Sequence, residues 1–263
     1  MKVTILGSGT STGVPMVGCS CRVCSSDDPK DKRTRASLLL RYNGRNILID
    51  ASPDLRFQVL REGVERIDAV LFTHAHADHV NGIDDLRGFH FLHREVVPCF
   101  ASSTTLDALL TGFKYIFHEF DGSGYSPLLQ ATAVDGPFEL FGLTVIPVPL
   151  QHGLTQALGF RIGNVAYLSD CNRIPAASLE LLHGLDLLII DGLRWNPHPF
   201  HFNIAEAIAA TLPLKAARTI LTHLSHDVLF ADGGGLPAGY EFAWDGMTCD
   251  IHTARSTAGG NDA

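Results

Sequence analysis

His74-Ala-His76-Ala-Asp78-His79 sets three imidazoles and one carboxylate within six residues, directly behind the apolar run Ala69–Phe72. In an extended segment alternate side chains share a face, so His74 and His76 can grip one ion together. A turn after His76 then lets Asp78 and His79 serve a second ion beside the first. Imidazole and carboxylate donors suit zinc, manganese or iron, and no thiolate lies within the segment. Two ions so placed can hold a shared hydroxide, bring its pKa toward neutrality and neutralise an oxygen that gains charge. The hexapeptide therefore predicts a dinuclear centre built for hydrolysis.

Outward from this segment, apolar runs ending in polar residues recur. Asp50, His74, Asp170, Asp191 and His223 each follow such a run, and strand ends are where a sheet hands residues to a shared site. Lys2–Leu6, Ala36–Arg41, Arg45–Asp50, Leu143–Val148, Leu158–Ile162 and Val165–Leu168 read as strands, with Asn43-Gly44 and Gly163-Asn164 as tight turns. Helices are predicted over Leu55–Arg61, Thr104–Phe113, Ala176–His183 and Ile204–Leu212, the last capped by Asn203. Hairpins together with crossover helices imply a mixed α/β architecture. No internal repeat is visible by eye. Residues 1–254 read as one domain and 255–263 as a disordered C-terminal tail, because the end is small and polar.

The 263 residues suffice for a sizeable core, with 46% hydrophobic and 18% charged residues. A formal charge of −8 argues against a nonspecific nucleic-acid binder, so no stable nucleic-acid partner is expected. It leaves room for a small phosphorylated substrate held by local cations. There is no run of about 18 apolar residues to span a membrane, and the start lacks the basic flank and cleavage site of a secretory signal. The expected location is cytoplasmic, with a homodimer left open as the assembly.

The hexapeptide resembles the H-x-H-x-D-H signature of the metallo-β-lactamase superfamily, and the rest of the chain supplies the family's remaining partners in order. The resemblance implies a four-layer αββα sandwich with mixed sheets. It implies one metal on His74, His76 and His152, and a second on Asp78, His79 and His223. Asp170 would lie between the two as the bridging carboxylate. Asp50 matches the aspartate that braces the metal loop, and Asp191 is grouped with it as a supporting carboxylate. Asp78 counts among the catalytic residues as well as the ligands.

Cys19-Ser-Cys21-Arg-Val-Cys24 offers three further thiolates, one short of a tetrahedral site. His226, in Thr222-His-Leu-Ser-His226, is the best candidate for the fourth ligand, and Cys171 is its rival. The cysteine insert, Gly13-Val-Pro15 ahead of it, the T-H-x-S-H segment and Trp244-Asp-Gly-Met247 resemble the PhnP-type cyclic phosphodiesterases of phosphonate utilisation. That resemblance implies opening of a phosphoribosyl 1,2-cyclic phosphate, two active-site divalent metals (zinc or manganese), and one structural zinc on Cys19, Cys21, Cys24 and His226.

Asn196-Pro-His-Pro-Phe-His201 cannot be regular structure. His201 matches the family's proton donor, and His198 is the alternative donor or a substrate contact. Arg35 and Ser37, beside the glycine turn Gly7–Gly13, are weaker candidates for holding a phosphate. His90, His93, His118, His183 and His252 are assigned to structure or surface. The expected function is thus a metal-dependent phosphodiesterase for a small cyclic or nucleotide-like phosphate ester. The alternatives are a tRNA-processing ribonuclease of the same superfamily and a non-hydrolytic protein like that of pyrroloquinoline quinone synthesis. A thioesterase of the glyoxalase type leaves the cysteine cluster without a role.

Overall fold

The structure is a computed structural model that describes residues 1–118 and 128–251. His252 and the tail predicted over 255–263 lie outside the described residues.

Two seven-stranded sheets face each other. The first runs β14 (Thr248–Asp250), β1 (Lys2–Gly7), β2 (Ser37–Tyr42), β3 (Arg45–Ile49), β4 (Ala69–Leu71), β5 (Val97–Ala101), β6 (Leu129–Ala133). The second runs β13 (Tyr240–Phe242), β12 (Arg218–Thr222), β11 (Leu187–Asp191), β10 (Val165–Leu168), β9 (Thr155–Ile162), β8 (Leu143–His152), β7 (Phe138–Leu140). Each sheet has three antiparallel pairings followed by three parallel ones, counted from β14 and from β7. This repeated pattern of pairing leaves no repeat visible in the sequence, because strand order constrains burial and not residue identity.

Burial explains why the strands read as continuous apolar runs. In β2, Leu38 and Leu40 point between the sheets while Leu39 points to the outer helices. Leu187 and Ile189 of β11 likewise join the inter-sheet core, and Leu188 and Ile190 the outer one. Both faces of a central strand are covered, so alternation disappears. Helices α1 (Leu55–Arg61) and α4 (Ser103–Gly112) cover the first sheet, and α6 (Ala176–Glu180) and α7 (Ile204–Thr211) the second. This is the predicted four-layer αββα sandwich with mixed sheets. Among the described residues, no helix is long and apolar enough to cross a membrane.

Several boundaries differ from expectation. The helix predicted to reach His183 ends at Glu180, and β9 begins at Thr155 instead of Leu158. Strands β5, β6 and β7 and helix α3 (Arg87–His93) went unread. Pro98 inside β5 and the half-exposed pattern of β6 hide them. Asn203 caps α7 as expected and does more: Glu206 returns the bond to the Asn203 backbone, closing a capping box.

Candidate metal centre

Three of the strand-end residues bend the chain sharply. Asp50, Asp170 and His223 adopt left-handed backbone angles, with φ of 62°, 55° and 58°. Asp, Asn and His tolerate that region better than other side-chain-bearing residues, and strain of this kind concentrates where function fixes geometry. Each turn swings a side chain off its strand into one cluster at the edge of the sandwich. His76 caps the short helix α2 (Ala77–Val80), so the chain turns between the first and second ligand pairs as expected.

Asp170 stands at the middle of the cluster. Its Oδ2 lies 3.6 Å from His74 Nε2 and 3.9 Å from His152 Nε2. Its Oδ1 lies 3.2 Å from His79 Nε2 and 3.3 Å from His223 Nε2. One carboxylate oxygen therefore faces each set of histidines. His152 Nε2 also lies 3.3 Å from His76 Nδ1, which places His76 with the first set. Asp78 Oδ2 lies 3.3 Å from His79 Nε2 and 3.5 Å from His223 Nε2, which places it with the second. Within each set, one donor atom per residue lies within 4.8 Å of the others: His74, His76, His152 and Asp170 in one, Asp78, His79, Asp170 and His223 in the other.

These residues fit metal ions. Nε2 of His74, His79 and His223 is buried and has no hydrogen-bond partner in the protein, and a buried polar atom left so is costly unless something else satisfies it. In His79 and His74 the opposite ring nitrogen is fixed by a partner. His79 donates from Nδ1 to Asp50 Oδ2 at 2.7 Å, and Asp50 also accepts from the Thr73 amide and hydroxyl at 2.8 Å each. The Thr73 hydroxyl lies 3.0 Å from His74 Nδ1. His152 donates from Nδ1 to the Phe200 carbonyl at 2.8 Å. Such pairing sets the tautomer and turns the free nitrogen toward a metal.

Electrostatics agree with the geometry. Burial alone would raise Asp78 and Asp170; contacts with His223 and His79 overcome it and hold both carboxyls below the usual range. Burial would lower His223, but the nearby carboxylates of Asp170, Asp78 and Asp191 raise it to about 9. His74 is pushed down, first by burial and then by the neighbouring His79.

His201 joins the rim. It donates from Nδ1 to Asp191 Oδ2 at 2.6 Å, and its ring stacks on His223 with centroids 4.9 Å apart. Asp191 in turn accepts from the Cys171 amide. A cavity of about 300 Å³ opens here, lined by Ser11, His76, Asp78, Leu154, Phe200 and His201 among others. A larger groove of about 900 Å³ beside α1 and α3 contains none of the cluster's residues.

The cysteines form a second cluster. Cys19, Cys21, Cys24 and His226 bring their donor atoms within 4.8 Å of one another, and His226 Nδ1 lies 3.4 Å from Cys19 Sγ and 3.5 Å from Cys21 Sγ. Hydrogen bonding, chiefly from the Cys24 backbone, lowers Cys21 to about 6, a thiol ready to bind as thiolate. Cys171, the rival ligand, is buried elsewhere with its thiol against the Leu168 carbonyl.

Two of the sequence-derived substrate contacts, Ser37 and Arg35, need correction. Ser37 is fully buried and donates its hydroxyl to the Asp50 carbonyl, so it braces the Asp50 turn and faces no substrate. Arg35 is committed to both oxygens of Asp54 and to the Ser11 carbonyl, and steadies the rim without lining it. His198 accepts at Nδ1 from the Phe200 amide at 3.3 Å, and its ring lies 5.1 Å from that of His201, which leaves it beside the cavity's His201. Thr73, Asn172 and the Phe200 carbonyl were missed. Thr73 adjoins His74 and was open to reading, whereas a backbone acceptor leaves no mark in the residue pattern.

Two packed mixed sheets that deliver paired histidines and a shared carboxylate from their strand ends define the class of metal-dependent αββα hydrolases. Residues 45–224 match the beta-lactamase superfamily domain. A solved structure described as a new diphosphatase from the PhnP family is 43% identical, covers 95% of this chain and 98% of its own, and superposes with a TM-score of 0.89. An octanoyltransferase of Porphyromonas gingivalis is 46% identical over 230 residues, 86% of this chain, yet the chain spans only 46% of that relative's length. The coenzyme PQQ synthesis protein B of Xanthomonas oryzae pv. oryzae is 29% identical over 270 residues, covering 86% of this chain and 89% of its own. The chain belongs to the metallo-β-lactamase superfamily and, within it, to the PhnP family.

Proposed function

We propose that this chain hydrolyses a small cyclic or nucleotide-like phosphate diester of the phosphoribosyl 1,2-cyclic phosphate type. The observation that carries the reading is His201, held by Asp191 at the mouth of a small cavity whose floor is the double ligand set. One divalent ion (zinc or manganese) would be held by His74, His76 and His152, a second by Asp78, His79 and His223, with Asp170 shared. A zinc would sit on Cys19, Cys21, Cys24 and His226. When bound, the paired ions supply Lewis acidity and an activated water.

The chain's own residues do the rest. Asp50 and Thr73 hold His79 and His74 in the ligating orientation. Asp191 occupies Nδ1 of His201 and leaves Nε2 as the atom that delivers a proton to the departing sugar oxygen, while the Asp191 charge steadies the imidazolium. The cavity of about 300 Å³ suits a small ester, and the net charge of −8 disfavours a polyanionic partner. Cys171, next to the shared ligand Asp170, is buried and burial pushes its thiol up, which disfavours acyl transfer through it. More than half of the octanoyltransferase lies outside the match, which leaves that relative's acyl chemistry room elsewhere in its chain.

The test is turnover of bis-p-nitrophenyl phosphate, an acyl thioester and a precursor tRNA by the zinc- or manganese-loaded protein. Diester hydrolysis that a chelator abolishes is expected. Faster turnover of the thioester or the tRNA overturns the reading.

A further inference from the structure

Asn172 follows the shared ligand Asp170 by two positions, and its side chain ties together two segments that the centre uses separately. Its backbone amide bonds to the Gln151 carbonyl at 3.0 Å, and Gln151 bonds back to Arg173, so this segment runs along the end of β8. From there Asn172 Oδ1 accepts from the Gly153 amide at 3.0 Å, and Nδ2 donates to the Pro199 carbonyl at 2.9 Å. Gly153 follows the ligand His152; Pro199 precedes His201 by two residues.

The same two segments touch twice more. His152 donates to the Phe200 carbonyl at 2.8 Å. Gly153 has a φ of +60°, and a Cβ built there would fall 2.0 Å from Phe200 Cδ1, so the turn accepts the Phe200 ring only because it lacks a side chain. At the far end of the loop, Arg194 donates to the Asn196 and Pro197 carbonyls at 3.1 and 2.8 Å. The loop 196–201 has no regular secondary structure to hold it. Its position therefore depends on these side-chain staples.

We propose that Asn172 is a positioning residue for both halves of the reaction, fixing the metal ligand His152 through Gly153 and the proton donor His201 through Pro199. It rests on the phosphodiester reading for its His201 half alone; the His152 half stands on geometry. The amide is suited because one end accepts and the other donates within a single short side chain.

Two substitutions separate them. Asn172→Ala removes both bonds. Asn172→Asp keeps an acceptor for Gly153 but sets a carboxylate oxygen against the Pro199 carbonyl. Zinc affinity, measured by chelator competition without substrate, is expected to fall roughly 10–100-fold in Asn172→Ala, the range for lost partners of metal-bound histidines, and to change much less in Asn172→Asp. With the metal sites saturated, both variants are expected to lose roughly tenfold or more on a diester with an alkyl leaving group, and much less on the p-nitrophenyl ester, which needs no proton donor. Equal losses on the two esters, or unchanged zinc affinity in Asn172→Ala, overturn the proposal. A wild-type protein inactive on both esters sinks the phosphodiester reading instead, and the zinc measurement then decides the His152 half by itself.

Discussion

Asp50 Oδ2 accepts the Nδ1 proton of His79 at 2.7 Å, with both side chains fully buried. Burial pushes the Asp50 carboxyl up, while His79 and Thr73 pull the other way, so its charge depends on these partners. The pair commits His79 to a single tautomer with Nε2 directed at Asp78 and Asp170. Asp50→Asn keeps the shape and removes the charge. Zinc affinity of the second site is expected to drop roughly 10–100-fold, read by competition with a chromophoric chelator. Unchanged affinity would reduce Asp50 to a structural support for the Thr73 turn.

Metal binding is expected to tighten with pH. In the metal-free protein His223 titrates at about 9, above its ordinary 6.5. Its charged form therefore contributes stability that is fully present below about 6.5 and is lost as pH rises through about 9. A metal needs the neutral ring, so binding must displace that proton. Between pH 7 and 9 the metal-free protein should lose melting temperature while zinc affinity at the second site rises, because His223 and His79, whose pKa is likewise raised, must both give up a proton to bind. Calorimetry in two buffers of different ionisation enthalpy counts the released protons. Affinity that falls with pH would contradict the assignment.

Cys21→Ser separates folding from chemistry. Thiolate–zinc bonds contribute folding energy outright, and a loss of only about 3 kcal/mol lowers the melting midpoint of a domain this size by roughly 6–12 °C. The folded fraction is expected to keep its turnover per molecule. His226 lies only three residues beyond His223, so normal folding with lost turnover would mean that the cysteine cluster serves the reaction directly.

The ligands were legible because the chain announces them. His74 to His79 is dense in donors, and Asp50, Asp170 and His223 each close an apolar strand, so period and position pointed to one place. His152 and His201 needed the family resemblance, since a lone histidine after a strand or in a proline-rich loop is ordinary. Arg35 and Ser37 were misread for a definite reason. Proximity to a glycine turn says nothing about side-chain direction, and Ser37 points inward to the Asp50 carbonyl while Arg35 is taken by Asp54. Asn172 and the Phe200 carbonyl were invisible because their roles depend on loops that meet only in three dimensions.

His201→Ala distinguishes proton donation from ligation, since a donor atom of His201 also lies within 4.8 Å of donors on Asp170, Asp191 and His223. Loss of a general acid is expected to slow an alkyl ester by roughly 10²-fold or more and a p-nitrophenyl ester far less. The metal content should stay at its wild-type value. A variant that loses an ion, or slows equally on both esters, would make His201 a ligand or a binding contact.

Metal titration of the apo centre bears most directly on the whole account. With the cysteine site already filled with zinc, hydrolysis of bis-p-nitrophenyl phosphate is followed as zinc or manganese is added in fractions of an equivalent. Activity is expected to stay low until the first active-site ion is in place and to saturate at the second, as a shared Asp170 between two ligand sets requires. Full activity at one equivalent, or activity that persists without any, would contradict a two-metal phosphodiesterase.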